Sequence, residues 1–178
     1  MKSQNMLHVP EFSSEAECEQ WLKDNPYYCA KPFYSRELTQ TNESIWCCHW
    51  GSPFKTIDEL NSYDKTVFKK DQPISDCSYC YKIEESGTTS ERFTDSLYTL
   101  VHQRDWVDNT DVKSLKLRLD NICNVSCQMC NADNSSLYDK VTGSNVGIIG
   151  LNDEIWKTTL EDLKSADILS LLGGETFL

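Results

Sequence analysis

The sequence lacks the features of a membrane-spanning or secreted protein. It contains no stretch of eighteen apolar residues, so we predict no transmembrane helix. The N-terminal segment, MKSQNMLHVPEF, has no apolar core of the kind found in signal peptides. Internal repeats and low-complexity tracts are also missing. We therefore expect a globular protein in the cytoplasm.

Positive charge is scarce. The chain carries 17 Lys and Arg side chains against 28 Asp and Glu, for a net charge of −11. No run of Lys or Arg is long enough to reverse the sign locally. A surface of this charge repels phosphate backbones and anionic lipids, so we expect no nucleic-acid partner and no membrane partner.

Neither cysteine nor histidine occurs after Cys130, although the chain holds nine cysteines in all. In a reducing compartment such cysteines are typical of metal sites and not of disulfides. Cys18 is the exception. It shares one face of a predicted helix over residues 11–24 with Trp21 and Leu22, so we predict that it is a buried packing residue.

The first half of the chain is predicted to be mainly helical and rich in loops. Ser14 and Glu17 fit a capping box for the first helix, and Thr88 and Glu91 fit one for a helix that ends near Gln103. Residues 29–55 look irregular, and a turn-rich segment surrounds Cys77. The predicted domains are residues 1–103, a polar linker over 104–111, and residues 112–178.

The second half has the pattern of an α/β fold. Leu115, Leu117 and Leu119 alternate with charged residues and predict a strand. A helical pattern follows over residues 152–165, and residues 168–172 form a second apolar strand. This order predicts a βαβ unit with parallel strands and a right-handed crossover.

Three cysteines follow the first of these strands in the spacing C-x3-C-x2-C. They are Cys123, Cys127 and Cys130, and we call residues 123–130 the three-cysteine loop. A structural zinc ion needs four ligands, and the fourth would have to come from the first half of the chain. Three thiolates on an iron–sulfur cluster leave one iron open, and a substrate binds at such a position.

The segment Cys123-Asn-Val-Ser-Cys-Gln-Met-Cys130 resembles the signature of the radical-SAM superfamily, and Gly173-Gly174-Glu175 resembles the Gly-Gly-Glu motif of that family. The resemblance implies a partial (β/α) barrel. It implies that Cys123, Cys127 and Cys130 hold a 4Fe–4S cluster whose fourth iron is chelated by S-adenosylmethionine (SAM). Met129 would pack on the adenine, and the Gly-Gly-Glu motif would receive the methionyl ammonium.

The family's chemistry begins with reductive cleavage of SAM. An electron donor such as a flavodoxin or a ferredoxin supplies the electron, and a 5′-deoxyadenosyl radical then abstracts a hydrogen atom from a C–H bond. The resemblance therefore implies an enzyme.

The remaining cysteines of the first half predict a second metal site. Cys77 and Cys80 form a C-x2-C pair that zinc and iron–sulfur sites share. The wider pattern is similar to that of a group of bacterial and phage radical-SAM proteins with a SPASM- or twitch-like segment ahead of the barrel. The residues of this pattern are Cys29, Cys47-Cys48, Cys77, Cys80, Glu84, Gly87, Ser90 and Arg92, with Ser135-Ser136 later in the chain.

That similarity implies an auxiliary 4Fe–4S cluster on Cys29, Cys47, Cys77 and Cys80, with Cys48 as the alternative to Cys47. It also implies a peptide substrate. A zinc site that stabilises a small domain is the alternative, and His49 could contribute to it.

The predicted barrel is incomplete, because only two strands and one intervening helix are present. We expect either a fragment of a longer protein or one part of a split enzyme whose partner chain supplies the remaining βα units. Three functions stay open: a radical-SAM enzyme, a non-catalytic iron–sulfur module and a zinc scaffold.

Overall fold

The computed structural model describes residues 7–39, 44–45, 57–108 and 111–173. These residues form a mixed α/β structure with two compact units. Among the described residues, the first unit comprises 7–35, 62–108 and Asp111, and the second comprises 36–39, 44–45, 57–61 and 112–173. Within these ranges, no helix combines the length and the apolar character needed to cross a bilayer.

The described segments contain eight helices and four strands. The helices are α1 (Glu15–Asp24), α2 (Lys31–Tyr34), α3 (Ile57–Ser62), α4 (Ser78–Glu85), α5 (Glu91–His102), α6 (Asp105–Asp108), α7 (Ser136–Thr142) and α8 (Asp153–Asp162). The strands are β1 (Ser35–Leu38), β2 (Ser44–Ile45), β3 (Ser114–Arg118) and β4 (Ile168–Leu172). Two short 3-10 helices cover Lys65–Lys69 and Ser75–Cys77.

Helix α1 confirms the first predicted helix and its capping. The Ser14 side chain accepts a hydrogen bond from the Glu17 N–H, and the Glu17 carboxylate accepts one from the Ser13 N–H at 2.9 Å. Each bond satisfies a donor that the helix itself leaves free. Cys18 and Leu22 are fully buried, and α1 packs against α5. Cys18 is therefore a packing residue, as predicted.

Helix α5 starts later than its predicted capping box. The prediction of Thr88 as the cap is wrong, because Ser90 is the N-cap and its side chain accepts the Phe93 N–H at 3.2 Å. The helix ends at His102, close to the predicted end.

Two helices of the first unit occupy segments that we expected to be irregular. Helix α4 begins directly after Cys77, in the segment predicted to be turn-rich. Helix α6 lies inside the expected linker, and its Trp106 and Val107 are buried. The Arg104 guanidinium donates to the backbone oxygens of Val9 and Pro10 at 2.8 and 2.9 Å. This part of the chain is thus packed within the first unit.

The second unit contains the predicted βαβ arrangement. Strands β3 and β4 pair in parallel, with Leu115 opposite Leu169 and Leu117 opposite Leu171, and α8 lies between them in the sequence. Beyond the prediction, β1 and β2 extend the sheet to the order β2-β1-β3-β4, with β1 and β2 antiparallel. Helix α7 is a further unpredicted element in the crossover.

Alternation along β3 divides the sheet into an apolar and a polar face. Leu115 and Leu117 are buried in a core with Leu38, Val112 and Ile155, the last of which lies on α8. Lys116 and Arg118 point to the opposite face because successive strand residues alternate. The core fixes β3, and β3 in turn carries the three-cysteine loop from its carboxyl end.

Candidate functional site

Asn121 anchors the chain between β3 and the three-cysteine loop. Its side chain is fully buried. The carbonyl oxygen accepts the Ile149 N–H at 3.0 Å, and the amide nitrogen donates to the Gly147 carbonyl oxygen at 2.8 Å. A buried amide bonded in this way has few alternative positions, because losing a partner would leave a polar group unsatisfied. The start of the loop is therefore fixed relative to the crossover.

The two serines that follow the loop bind back onto it. Ser136 Oγ accepts the Cys123 N–H at 3.1 Å and approaches the Cys123 carbonyl oxygen at 3.3 Å. Ser135 Oγ donates to the Val125 carbonyl oxygen at 2.8 Å and caps α7 by accepting the Tyr138 N–H. These serines position the three-cysteine loop. In the sequence they were indicated only by the resemblance to SPASM- or twitch-like proteins.

The three cysteines lie on the open side of this anchored loop. Cys127 is exposed, while Cys123 and Cys130 are partly exposed. The Val125 N–H donates to the Cys123 sulfur at 3.4 Å, and the Cys130 N–H donates to the Cys127 carbonyl oxygen. Across the part of the chain that the structure describes, no three Cys, His, Asp or Glu side chains form a group able to hold a metal ion.

The donor chemistry of the loop fits an iron–sulfur cluster. Three thiols lie within eight residues, and thiolate is the ligand that iron–sulfur clusters use. An N–H···S hydrogen bond such as that from Val125 stabilises a thiolate and adjusts the potential of a bound cluster. Met129 lies between two of the cysteines and is 96% exposed.

The segment after α7 is held by Asp139. Its carboxylate accepts the N–H groups of Val146 and Gly147, each at 2.9 Å. These two hydrogen bonds lower the pKa of Asp139, because they favour the charged carboxylate. The same segment supplies the Gly147 and Ile149 backbone groups that bind the Asn121 side chain, so Asp139 supports the anchor of the three-cysteine loop indirectly.

Gly173 brings the second motif next to the first. It follows β4 directly and has a φ of +150°, a conformation that favours glycine. A Cβ atom at this position would lie only 3.1 Å from the carbonyl oxygen of Asp120. The parallel pairing of β3 and β4 thus places Gly173 beside the residue that leads into the three-cysteine loop. Gly174 and Glu175 lie outside the described residues.

Charged side chains on the polar face of the sheet also contact the segment that follows the three-cysteine loop. Glu37 on β1 is buried, with its carboxylate 3.3 Å from Arg118 Nε and 3.9 Å from Lys116 Nζ. Arg118 donates onward to the Asn134 side chain at 3.1 Å, next to Ser135. Alternation in β3 was the available signal for the two cations, but no local pattern indicated their partner on β1.

In the first unit, Cys29 and Cys77 are electrostatic neighbours. Cys29 is buried in the segment that connects α1 to α2, and Cys77 is the N-cap of α4. Burial raises the pKa of the Cys29 thiol, and the nearby Cys77 raises it further. The backbone N–H of Lys31 hydrogen-bonds to the Cys29 sulfur and opposes this rise.

Cys80 lies in the first turn of α4 and is also buried. Tyr81 is the next residue, and it hydrogen-bonds to Cys77. Burial raises the pKa of the Tyr81 phenol most, and the charge of Cys77 raises it further. We call Cys29, Cys77 and Cys80 the first-unit cysteines. Cys47, Cys48 and His49 lie outside the described residues, so the choice between Cys47 and Cys48 stays a prediction.

Cys18 differs from the first-unit cysteines in its surroundings. Burial raises the pKa of its thiol to about 11, and it packs on the inner face of α1. It therefore behaves as a small apolar residue.

Comparison of the chain with protein-family models, with curated proteins and with solved structures gives no match.

Proposed function

We propose that this chain is a radical-SAM protein, in which Cys123, Cys127 and Cys130 hold a 4Fe–4S cluster and SAM chelates the fourth iron. The observation that carries the proposal is that the carboxyl ends of β3 and β4 lie side by side. The three-cysteine loop and Gly173 leave parallel, adjacent strands at the same end, and Gly173 approaches the Asp120 carbonyl oxygen closely. Ligand sites in parallel sheets form at this end of the strands.

The loop supports this role through its division into a fixed and an open side. Asn121, Ser135 and Ser136 hold the backbone, while Cys127 and Met129 are exposed. An apolar side chain as exposed as Met129 is suited to contact a flat ligand such as adenine. Gly174 and Glu175 would receive the methionyl ammonium, since a carboxylate pairs with an ammonium group.

When bound, the reduced cluster supplies one electron that cleaves SAM into methionine and a 5′-deoxyadenosyl radical. The chain's own residues would bind and orient the two cofactors. A flavodoxin or a ferredoxin is the proposed electron donor, and a peptide is the proposed substrate.

A second 4Fe–4S cluster is proposed for the first-unit cysteines together with Cys47, or with Cys48 as the alternative. Cys77 and Cys80 bracket the first turn of α4, and Cys77 lies close enough to Cys29 to raise the pKa of its thiol. All three first-unit cysteines are free of disulfides, and clustered free cysteines in the sequence are typical of a metal site. A zinc ion on the same residues is the alternative.

Strand β4 offers a surface for a further βα unit. It lies at the end of the described sheet, and Leu169 and Leu171 are 47% and 37% exposed although their partners on β3 are buried. Trp156 and Leu160 on α8 are exposed as well. A barrel continued by further residues, or by a second chain, would cover these apolar groups. Co-expression with a candidate second chain should then give a soluble complex that cleaves SAM.

Metal content tests both cluster sites. After anaerobic reconstitution with iron and sulfide, we expect about eight iron atoms per chain, and about four in each of two variants, C123A/C127A/C130A and C77A/C80A. C18A is the matched control, because Cys18 is a buried packing residue of α1 and not a proposed ligand, so the iron content should stay unchanged. Zinc without iron in the first unit would favour the zinc scaffold.

SAM cleavage separates an enzyme from an iron–sulfur module. With a reductant and SAM, the protein or its complex with a second chain should form 5′-deoxyadenosine, and C123A/C127A/C130A should form none. Equal amounts from both proteins would contradict the proposed role of the three-cysteine loop.

A further inference from the structure

Arg92 is a charged side chain enclosed in the first unit, with only 3% of its surface exposed. It lies in the first turn of α5. Its Nε donates to the Glu84 carboxylate at 2.9 Å, and its Nη2 pairs with the other oxygen of the same carboxylate. Its Nη1 donates to the carbonyl oxygen of Tyr28. The guanidinium therefore uses both sides of its fork, a geometry that lysine cannot reproduce.

These contacts join the two segments that carry the first-unit cysteines. The Tyr28 carbonyl belongs to the peptide bond that leads into Cys29. Glu84 lies on α4 four residues after Cys80, so both side chains are on one face of that helix. Ser90 adds a further hydrogen bond from its hydroxyl to Glu84. One guanidinium thus sets the separation between Cys29 and the helix of Cys77 and Cys80.

Stability alone does not explain such a buried pair. The cost of taking both charges out of water offsets most of their attraction, and well-packed apolar residues are often as stable. The cation has a second effect, however. Because Arg92 Nη1 donates to the Tyr28 carbonyl oxygen, its positive charge lies beside the peptide bond that leads into Cys29.

We propose that Arg92, held by Glu84, is a positioning residue for the cluster on the first-unit cysteines and raises the reduction potential of that cluster. This inference rests on the second cluster proposed above. Thiolate-ligated clusters carry net negative charge that grows on reduction, so a nearby buried cation favours the reduced form. Glu84 has the opposite charge and limits this effect.

The full chain with C123A/C127A/C130A isolates the first-unit cluster, and we call it the background protein. Three variants are compared in it: R92Q, R92K and E84Q. Reduction by dithionite is followed by electron paramagnetic resonance at a series of fixed potentials, and iron is measured per chain. K23Q is the matched control, because Lys23 is an exposed cation of the same unit paired with Glu19.

The two charge changes should move the potential in opposite directions. R92Q should lower the ratio of reduced to oxidised cluster about tenfold at a fixed potential, a shift of about 59 mV for a one-electron couple. E84Q should raise that ratio, R92K should stay closer to the background protein than R92Q does, and K23Q should not differ from it. Loss of structure alone would not produce shifts of opposite sign.

Several results would overturn the inference. If the background protein binds zinc or no iron, the second cluster and the inference both fail. If it binds iron but R92Q and E84Q share its potential, or shift it in the same direction, only the role of Arg92 fails. Should R92Q not fold, the sign of the E84Q shift and the potential of R92K decide the question.

Discussion

Replacing Ser136 by alanine tests whether the hydrogen bonds beneath the three-cysteine loop hold the cluster. The change removes the hydroxyl that accepts the Cys123 N–H at 3.1 Å and contacts the Cys123 carbonyl oxygen at 3.3 Å. Each such bond contributes about 0.5–1.5 kcal/mol net, so the loop should lose about 1–3 kcal/mol. Since about 1.4 kcal/mol corresponds to a factor of ten, the cluster should be held about 5- to 150-fold less tightly.

The measurement is the loss of the cluster to an iron chelator under anaerobic conditions, followed by its absorbance near 400 nm. The C77A/C80A background removes the contribution of the proposed second cluster. S126A is the matched control, because Ser126 is an exposed serine inside the same loop. If S136A and S126A lose their clusters at the same rate, the serine does not position the loop and our reasoning about its hydrogen bonds is wrong.

Two further predictions concern the neighbouring backbone. G173A should weaken SAM binding, measured calorimetrically, at least about tenfold and cost about 1–3 kcal/mol of stability, because its Cβ would meet the Asp120 carbonyl oxygen. G87A is the control, because Gly87 lies in the first unit with a φ of +82° and open space around it, so SAM binding should stay unchanged. Because folding lowers the pKa of Asp139, its carboxylate stabilises the fold at pH values above the unfolded pKa of about 3.9. This stabilisation is lost as the pH falls through the pKa of the folded state. D139N should therefore flatten the pH dependence of urea unfolding between about pH 5 and 2, and an unchanged slope would contradict this account.

The elements that follow strong periodic patterns were predictable from the sequence. Strands β3 and β4 and helix α8 have apolar residues at strand and helix spacing, and each occurs at its predicted place. Strand β1 escaped prediction because it has only four residues and buries Glu37, whose charge is balanced by cations on β3. A residue whose burial depends on a distant partner gives no local signal.

The position of the three-cysteine loop after β3 was predictable from the sequence, and the hydrogen bonds that support the loop were not. Cysteine spacing indicated the three-cysteine loop, since metal ligation imposes short and regular separations. The hydrogen bonds that the Asn121 and Ser136 side chains accept join residues far apart in the sequence and leave no periodic pattern in it. Helix α7 was missed for a related reason, because its seven residues are too few for a clear helical pattern.

The contrast in enclosure between Cys29 and Cys127 has a consequence for the order of assembly. Cys29 is buried, and its raised pKa keeps this cysteine in the unreactive thiol form. Metal ions and reagents should therefore reach Cys29 more slowly than a cysteine on the surface. Cys127 remains open to solvent in the finished fold. Air and alkylating reagents should therefore attack the three-cysteine loop first, and iron and sulfide should fill that loop before they fill the first-unit site.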